Sequence, residues 1–230
     1  MATPPTLIHI QGRATITTTA QRAVLNLAAS DTGSDKDQVS SHVVSTVTDI
    51  QSELDELCPR LENGEISPNA PVDFYSIASL SISATDEYDD DGVRLEKKLY
   101  SASSNIAIHF RDFGRLGQMV VRLSSMPYVE LRGIDWQLAD EKKTELDEEA
   151  RRKALRHAMS RARAYGAIIG RDKVTCIKIE DLEESWPARR VKQTARMASS
   201  SATFEVGAGI DFEPQLVDVS ATLSVEFHAE

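Results

Sequence analysis

The sequence predicts an α+β protein: a largely antiparallel sheet with one long and two shorter helices packed on it, in the order ββαββαβαββ. Three observations carry that expectation. Several runs alternate apolar and polar residues with the period of two that lays one face of a strand on a core. Others change to a period of three or four, the mark of an amphipathic helix. Neighbouring strand-like runs are separated by short connections and read as hairpins, which favours antiparallel pairing over parallel crossovers.

The first run, "LIHIQGRATITTT" at 7–19, alternates and is rich in β-branched residues, so it is a strand. "AQRAVLNLAAS" at 20–30 follows a short turn, and the two runs are expected to form a hairpin. From 34 to 57 the period changes: Val39, Val43, Val47, Ile50, Leu54 and Leu57 share one face of a helix. Ser34 or Asp35 is its N-cap, and Pro59 stops it. "VDFYSIASLSISAT" (72–85) and "VRLEKKLYSASSNIAIHF" (93–110) are two more strands, joined at the tip "DEYDDDG". "GRLGQMVVRLSS" (114–125) is a short helix with Asp112 as its N-cap. "YVELRGIDWQLAD" (128–140) alternates again, with Gly133 marking a bulge. The long helix follows, then the strand "KVTCIKIED" (173–181). Residues 183–210 have no period and read as a mobile loop; "LVDVSATLSVEFHA" (216–229) is the closing strand. The whole is read as a single domain over 1–230.

The long helix contains "EEARRKALRHAMSRARAYGAIIG" (148–170), whose arginines raise the question of a nucleic-acid grip. Its preface is acidic: Asp140, Glu141, Glu145, Asp147, Glu148 and Glu149. Acid early and base later complements the helix dipole, each end charge being worth roughly 0.3–1 kcal/mol. Glu148 and Glu149 each stand four residues before a cation, Arg152 and Lys153, the favoured order for a pair on one face. Ala150, Ala154, Ala158 and Ala162 form a ladder of small residues that lets a helix approach a sheet closely. The arginines then belong to the outer, solvated face.

This same stretch, "DEEARRKALRHAMSRARAYGAIIGRDKVTCIKIED", resembles the signature of the SIMPL-domain family, named for a signalling molecule that associates with a Pelle-like kinase. The shared features are an acidic start, an alanine ladder after Glu-Ala-Arg, a glycine at the helix end and the strand that follows. "IHIQGRATITTTAQRAVLNLAAS" is similar to the family's opening segment, "YSASSNIAIHFRDFGRLGQMV" to its middle, and "FEPQLVDVSATLSVEF" to its closing strand. One departure is Pro214-Gln215, where the family usually has Pro-Gly. The resemblance implies a sheet-rich fold that assembles into oligomers, rings in some bacterial members. Bacterial members are periplasmic or outer-membrane-associated and linked to stress, and animal members are signalling adaptors. No catalytic motif carries over.

Composition narrows the classes further. A chain of 230 residues buries roughly 70% of its unfolded surface, so no disulfide or metal is needed to hold it. The net charge of −10 counts against general affinity for nucleic acid or anionic lipid. Cys58 and Cys176 sit in no ligand spacing and are expected to be two buried thiols in a reducing compartment. The N-terminus shows no signal-peptide pattern and no apolar run reaches the roughly 20 residues of a membrane span, so a cytoplasmic or otherwise intracellular protein without stable membrane insertion is expected.

Tests for chemistry come back negative. Aligning Gly92 with the EF-hand glycine puts Lys98 where the bidentate glutamate is needed. His9, His42, His109, His157 and His228 follow no metal spacing, though His9, His109 and His228 sit on runs that a sheet could make neighbours. There is no Gly-x-Ser-x-Gly elbow and no phosphate-binding glycine loop. No catalytic residue, cofactor site or metal site is therefore assigned. The loop at 183–210 is the remaining candidate, a contact arm for self-association or a protein partner through Trp186, Arg189, Arg190, Arg196 and Met197. The expected function is a non-enzymatic homo-oligomeric scaffold or adaptor without nucleic acid as a partner. The alternative is a small-molecule-binding protein or an isomerase-like biosynthetic enzyme with a pocket against the sheet near Tyr100, His109 and Trp136.

Overall fold

The computed structural model describes residues 4–62, 64–88, 94–182 and 212–230, with the side chains of 87, 88 and 94–97 left aside. In chain order the elements are β1 (Thr6–Thr19), β2 (Arg22–Gly33), α1 (Lys36–Leu57), β3 (Val72–Ile77), β4 (Ser81–Tyr88), β5 (Arg94–Phe110), α2 (Phe113–Ser124), β6 (Val129–Gln137), α3 (Asp140–Ile168), β7 (Val174–Asp181) and β8 (Leu216–Ala229). Every strand pairing is antiparallel, so the α+β class and its one long and two shorter helices are borne out. The elements divide into two compact units: β1, α3, β7 and β8 in one, the rest in the other.

In the first unit the strand order is β1-β8-β7. β1 and β8 stay in register from Thr6↔Ala229 to Thr19↔Leu216. Alternation sends Ile8, Ile10, Leu223, Val225 and Phe227 to one face, where Ala154, Ala158 and Ala162 of α3 meet them. The alanine ladder is fully buried, and its small size brings the helix backbone down onto β1. At Gly12 the approach is so close that a Cβ would collide with the carbonyl oxygen of Ala154. At the other end a Cβ on Gly166 would lie 2.6 Å from the carbonyl oxygen of Arg171 and 2.7 Å from Val174. The arginines of α3 are exposed, as the ladder requires. Glu149 and Lys153 pair at 2.8 Å, Glu148 and Arg152 at 3.9 Å. Asp140 and Glu141 occupy the first turn, while the last turn carries no basic residue.

In the second unit the order is β3-β5-β2-β6, with β4 also on β5. β2 is its central strand, and consecutive residues Ala23, Val24 and Leu25, then Leu27, Ala28 and Ala29, are buried. α1 turns Val39, Val43, Ile50 and Leu54 inward, as its periodicity predicts, and α2 buries Leu116, Met119 and Leu123. Asp35 caps α1 by accepting from the N–H groups of Asp37 and Gln38 at 2.9 and 3.1 Å. Asp112 caps α2 through the N–H of Arg115 at 3.0 Å. Both carboxylates offset donors that a helix start leaves unpaired.

Three expectations need correction. β1 and β2 do not form a hairpin: β1 pairs with β8, and β2 pairs with β5 and β6. Ala20 and Gln21 supply none of the Gly or Asn residues that a two-residue hairpin turn demands, and β2, apolar on both faces, is a central strand. The run at 72–85 is two strands laid end to end along one edge of β5. Between them the Ala78 N–H donates to the Asn105 carbonyl at 2.8 Å, and the buried Ser104 hydroxyl donates to the Ala78 carbonyl at 2.7 Å. Of the two cysteines only Cys58 is buried; Cys176 is exposed because β7 is an edge strand whose residues after Val174 are all exposed. The Gly133 bulge is borne out. Asn26 opposes Gly133 and Leu27 opposes Leu131, so Arg132 is the extra residue, and Gly133 takes φ 144°, which favours glycine.

Candidate functional site

Strand alternation builds a polar face on the second unit's sheet. Leu25 and Leu27 point toward the helices, so Asn26 points away, as do Asn105 and Ala107 on β5 and Ser76 on β3. The bulge on β6 re-aims Arg132 onto the same face. There its guanidinium donates to the Asn105 side-chain oxygen at 2.6 Å. The Asn26 amide is fixed by donating to Asp135 at 2.8 Å. Ala78, Ala107 and these side chains line an open groove of about 470 Å³. One guanidinium and two anchored amides can receive a carboxylate or another small polar group. The lining includes one hydroxyl, Ser76, and no His, Asp, Glu or Lys that would serve as its general base.

A second constellation joins β2, α1 and the residue before β6. His42 Nδ1 lies 2.7 Å from Asp31 Oδ2, and the other oxygen of Asp31 accepts from the Thr32 N–H at 2.8 Å. Tyr128 stacks on the His42 ring with centroids 4.6 Å apart. Tyr128 also has φ 63°, a left-handed backbone that a bulky residue rarely adopts. Its carbonyl accepts from the Ser30 N–H at 2.8 Å, which ties the strained residue to β2. The carboxylate thereby fixes the orientation of an imidazole. In the sequence His42 is only one of five histidines without metal spacing, and Tyr128 carries no signal, because nothing in one chain announces a positive φ outside glycine.

Charge gathers a third time at the start of β3. Arg22 and Arg111 both donate to Asp73 Oδ2, at 2.5 and 3.1 Å, while Asp73 Oδ1 is buried with no hydrogen-bond partner among the described residues. Cys58 lies near this cluster, and burial pushes its thiol pKa up, so it stays protonated. Tyr75 donates to Asp55 at 2.6 Å, and that bond raises the phenol pKa first, with burial second.

The structure does not bring Tyr100, His109 and Trp136 together. Tyr100 and His109 are both on β5, nine residues apart, about 30 Å of extended chain. His109 sits on the polar face, edge-on to Phe74 at 5.2 Å. Trp136 lies on the helix-facing side, edge-on to Phe113 at 5.2 Å. His9 opposes Glu226 and His228 opposes Leu7 in the first unit, so His109 is not their neighbour in a sheet. The candidate interface Trp186, Arg189, Arg190, Arg196 and Met197 lies outside the described residues.

Several large apolar side chains are left in solvent. Near the end of α3, Ile168 is 81% exposed and Ile169 50%. On β7, Ile177 is 46% exposed and Ile179 52%. These four residues belong to the first unit. The helix ends at Ile168, and Ile169 falls where the helical period no longer governs direction. Among the described residues no helix is long and apolar enough to cross a membrane.

The model of the SIMPL family, described as a protein of unknown function (DUF541), matches residues 8–227. No curated protein matches the chain.

Proposed function

The chain belongs to the SIMPL family, and from that premise we propose that it acts as a non-enzymatic homo-oligomeric scaffold or adaptor. The observation that supports this reading is the set of exposed isoleucines, Ile168, Ile169, Ile177 and Ile179, on one unit. Apolar side chains this exposed supply the kind of surface that an assembly covers. A second copy is the simplest cover, since most soluble assemblies are built from identical chains. A distinct protein partner would use the same surface. Amine cross-linking of dilute purified protein tests the proposal. Bands at integral multiples of 25.3 kDa are expected, and a monomer band alone at micromolar concentration would rule assembly out.

The groove at Arg132 favours a second reading, a small-molecule-binding protein. Calorimetric titration with small carboxylates checks it. Saturable heat that disappears in Arg132→Ala would support that reading, and no heat at millimolar ligand would remove it.

A further inference from the structure

The sheet β1-β8-β7 has two edges, and the molecule finishes them differently. On β1 two of the outward backbone groups are taken by α3: the Arg13 N–H donates to His157 Nδ1 at 3.2 Å, and Arg161 donates to the Gln11 carbonyl at 3.3 Å. Two members of the basic run thus occupy that edge. On β7, among the described residues, no other element bonds to the free edge. An uncovered edge is a template for another strand.

We propose that two copies of this chain pair antiparallel through the free edges of β7, about a twofold axis at Ile179, joining their three-stranded sheets end to end. The proposal rests on the homo-oligomer reading and names its surface. The register follows from charge and face. A bulge at Ile177 shifts the pairing with β8 from Cys176↔Phe227 to Lys178↔Glu226, so the regular part of the strand begins at Lys178. Lys178 and Glu180 oppose Glu226 and Ser224, on the face away from α3; Ile179 opposes Val225, on the core face. Residues directly opposite in an antiparallel pair share a face. A twofold axis perpendicular to the sheet must therefore pass through a residue. Centred on Lys178 it would set lysine against lysine, and centred on Glu180 glutamate against glutamate; like charges directly opposite are destabilising. Centred on Ile179 it sets Ile179 on its copy and places Lys178 opposite Glu180 twice. The lone strand already holds these charges together, Lys178 Nζ lying 2.6 Å from Glu180 Oε1, so the pair need only change partners. Pairing also covers the half-exposed Ile179.

The test is a charge swap followed by sedimentation equilibrium. Lys178→Glu alone and Glu180→Lys alone each turn both cross-pairs repulsive, and each should raise the dimer dissociation constant roughly tenfold. An equal mixture of the two variants should bring it back toward the unaltered value, because their heterodimer restores opposite charges. Circular dichroism verifies that both exposed-strand variants fold. In a Cys176→Ser background, Ile179→Cys should oxidise to a disulfide-linked dimer. If the variants associate as tightly as the unaltered chain, or the mixture is not rescued, this pairing is overturned while assembly by another surface stands. If the unaltered chain stays monomeric, the pairing and the assembly reading fall together.

Discussion

A methyl group at Gly12 has nowhere to go. The carbonyl of Ala154 occupies its place, and that carbonyl belongs to a helix whose position is set by the whole alanine ladder. Gly12→Ala should therefore destabilise the protein by about 1–3 kcal/mol, read by urea unfolding, as overpacking does elsewhere. The two thiols differ in the same local way. Cys176 on the exposed edge should react at once with a thiol reagent, whereas Cys58, buried and with a raised pKa, should react only on unfolding. Two equivalents modified rapidly in the native protein would contradict that. Glu149 offers a pH test. The hydrogen bond from Lys153, and then its charge, lower the carboxyl pKa below the usual range. A depressed acid adds stability above its unfolded pKa, and that contribution is lost as pH falls through the folded one. An NMR titration should show the Glu149 midpoint return to the ordinary range in Lys153→Met. At this scale the sequence was legible where a side chain acts on its neighbours, as at Asp35 and Asp112. It was silent where the chain meets a distant segment, as at Tyr128 with His42 and at Arg132 with Asn105.

Among the elements, α3 was the most readable, because both of its faces are written in local spacing. Small residues every fourth position define the buried stripe, and acid-before-base pairs define the solvated one. Ala158→Leu should cost about 1–3 kcal/mol by thermal or urea unfolding, since the sheet leaves no room for a larger side chain. Arg152→Ala on the outer face should change stability by less than about 0.5 kcal/mol. A large loss there would mean that the basic face is not simply solvated. The strands were legible as strands but not as partners. β1 and β2 are adjacent in sequence and lie in different sheets, because antiparallel pairing answers to face pattern and edge position over long separations. At the break between β3 and β4 the Ala78 carbonyl accepts from Ser104, a residue of a third strand, and no local pattern reveals it.

Across the whole chain, the described residues make two compact units, each with its own sheet and at least one helix on it. Family membership over residues 8–227 leaves the activity open. The Arg132 groove of one unit and the exposed isoleucines of the other suit different tasks, and the assembly reading rests on the second. Its weight falls on physics that acts between molecules: a strand edge that no other described residues cover, and apolar side chains held in water. The mass of the chain in solution is the most direct measurement of that claim. Multi-angle light scattering at micromolar concentration should give a stable multiple of 25.3 kDa, or a mass rising with concentration toward one. A constant 25.3 kDa across that range would contradict the account.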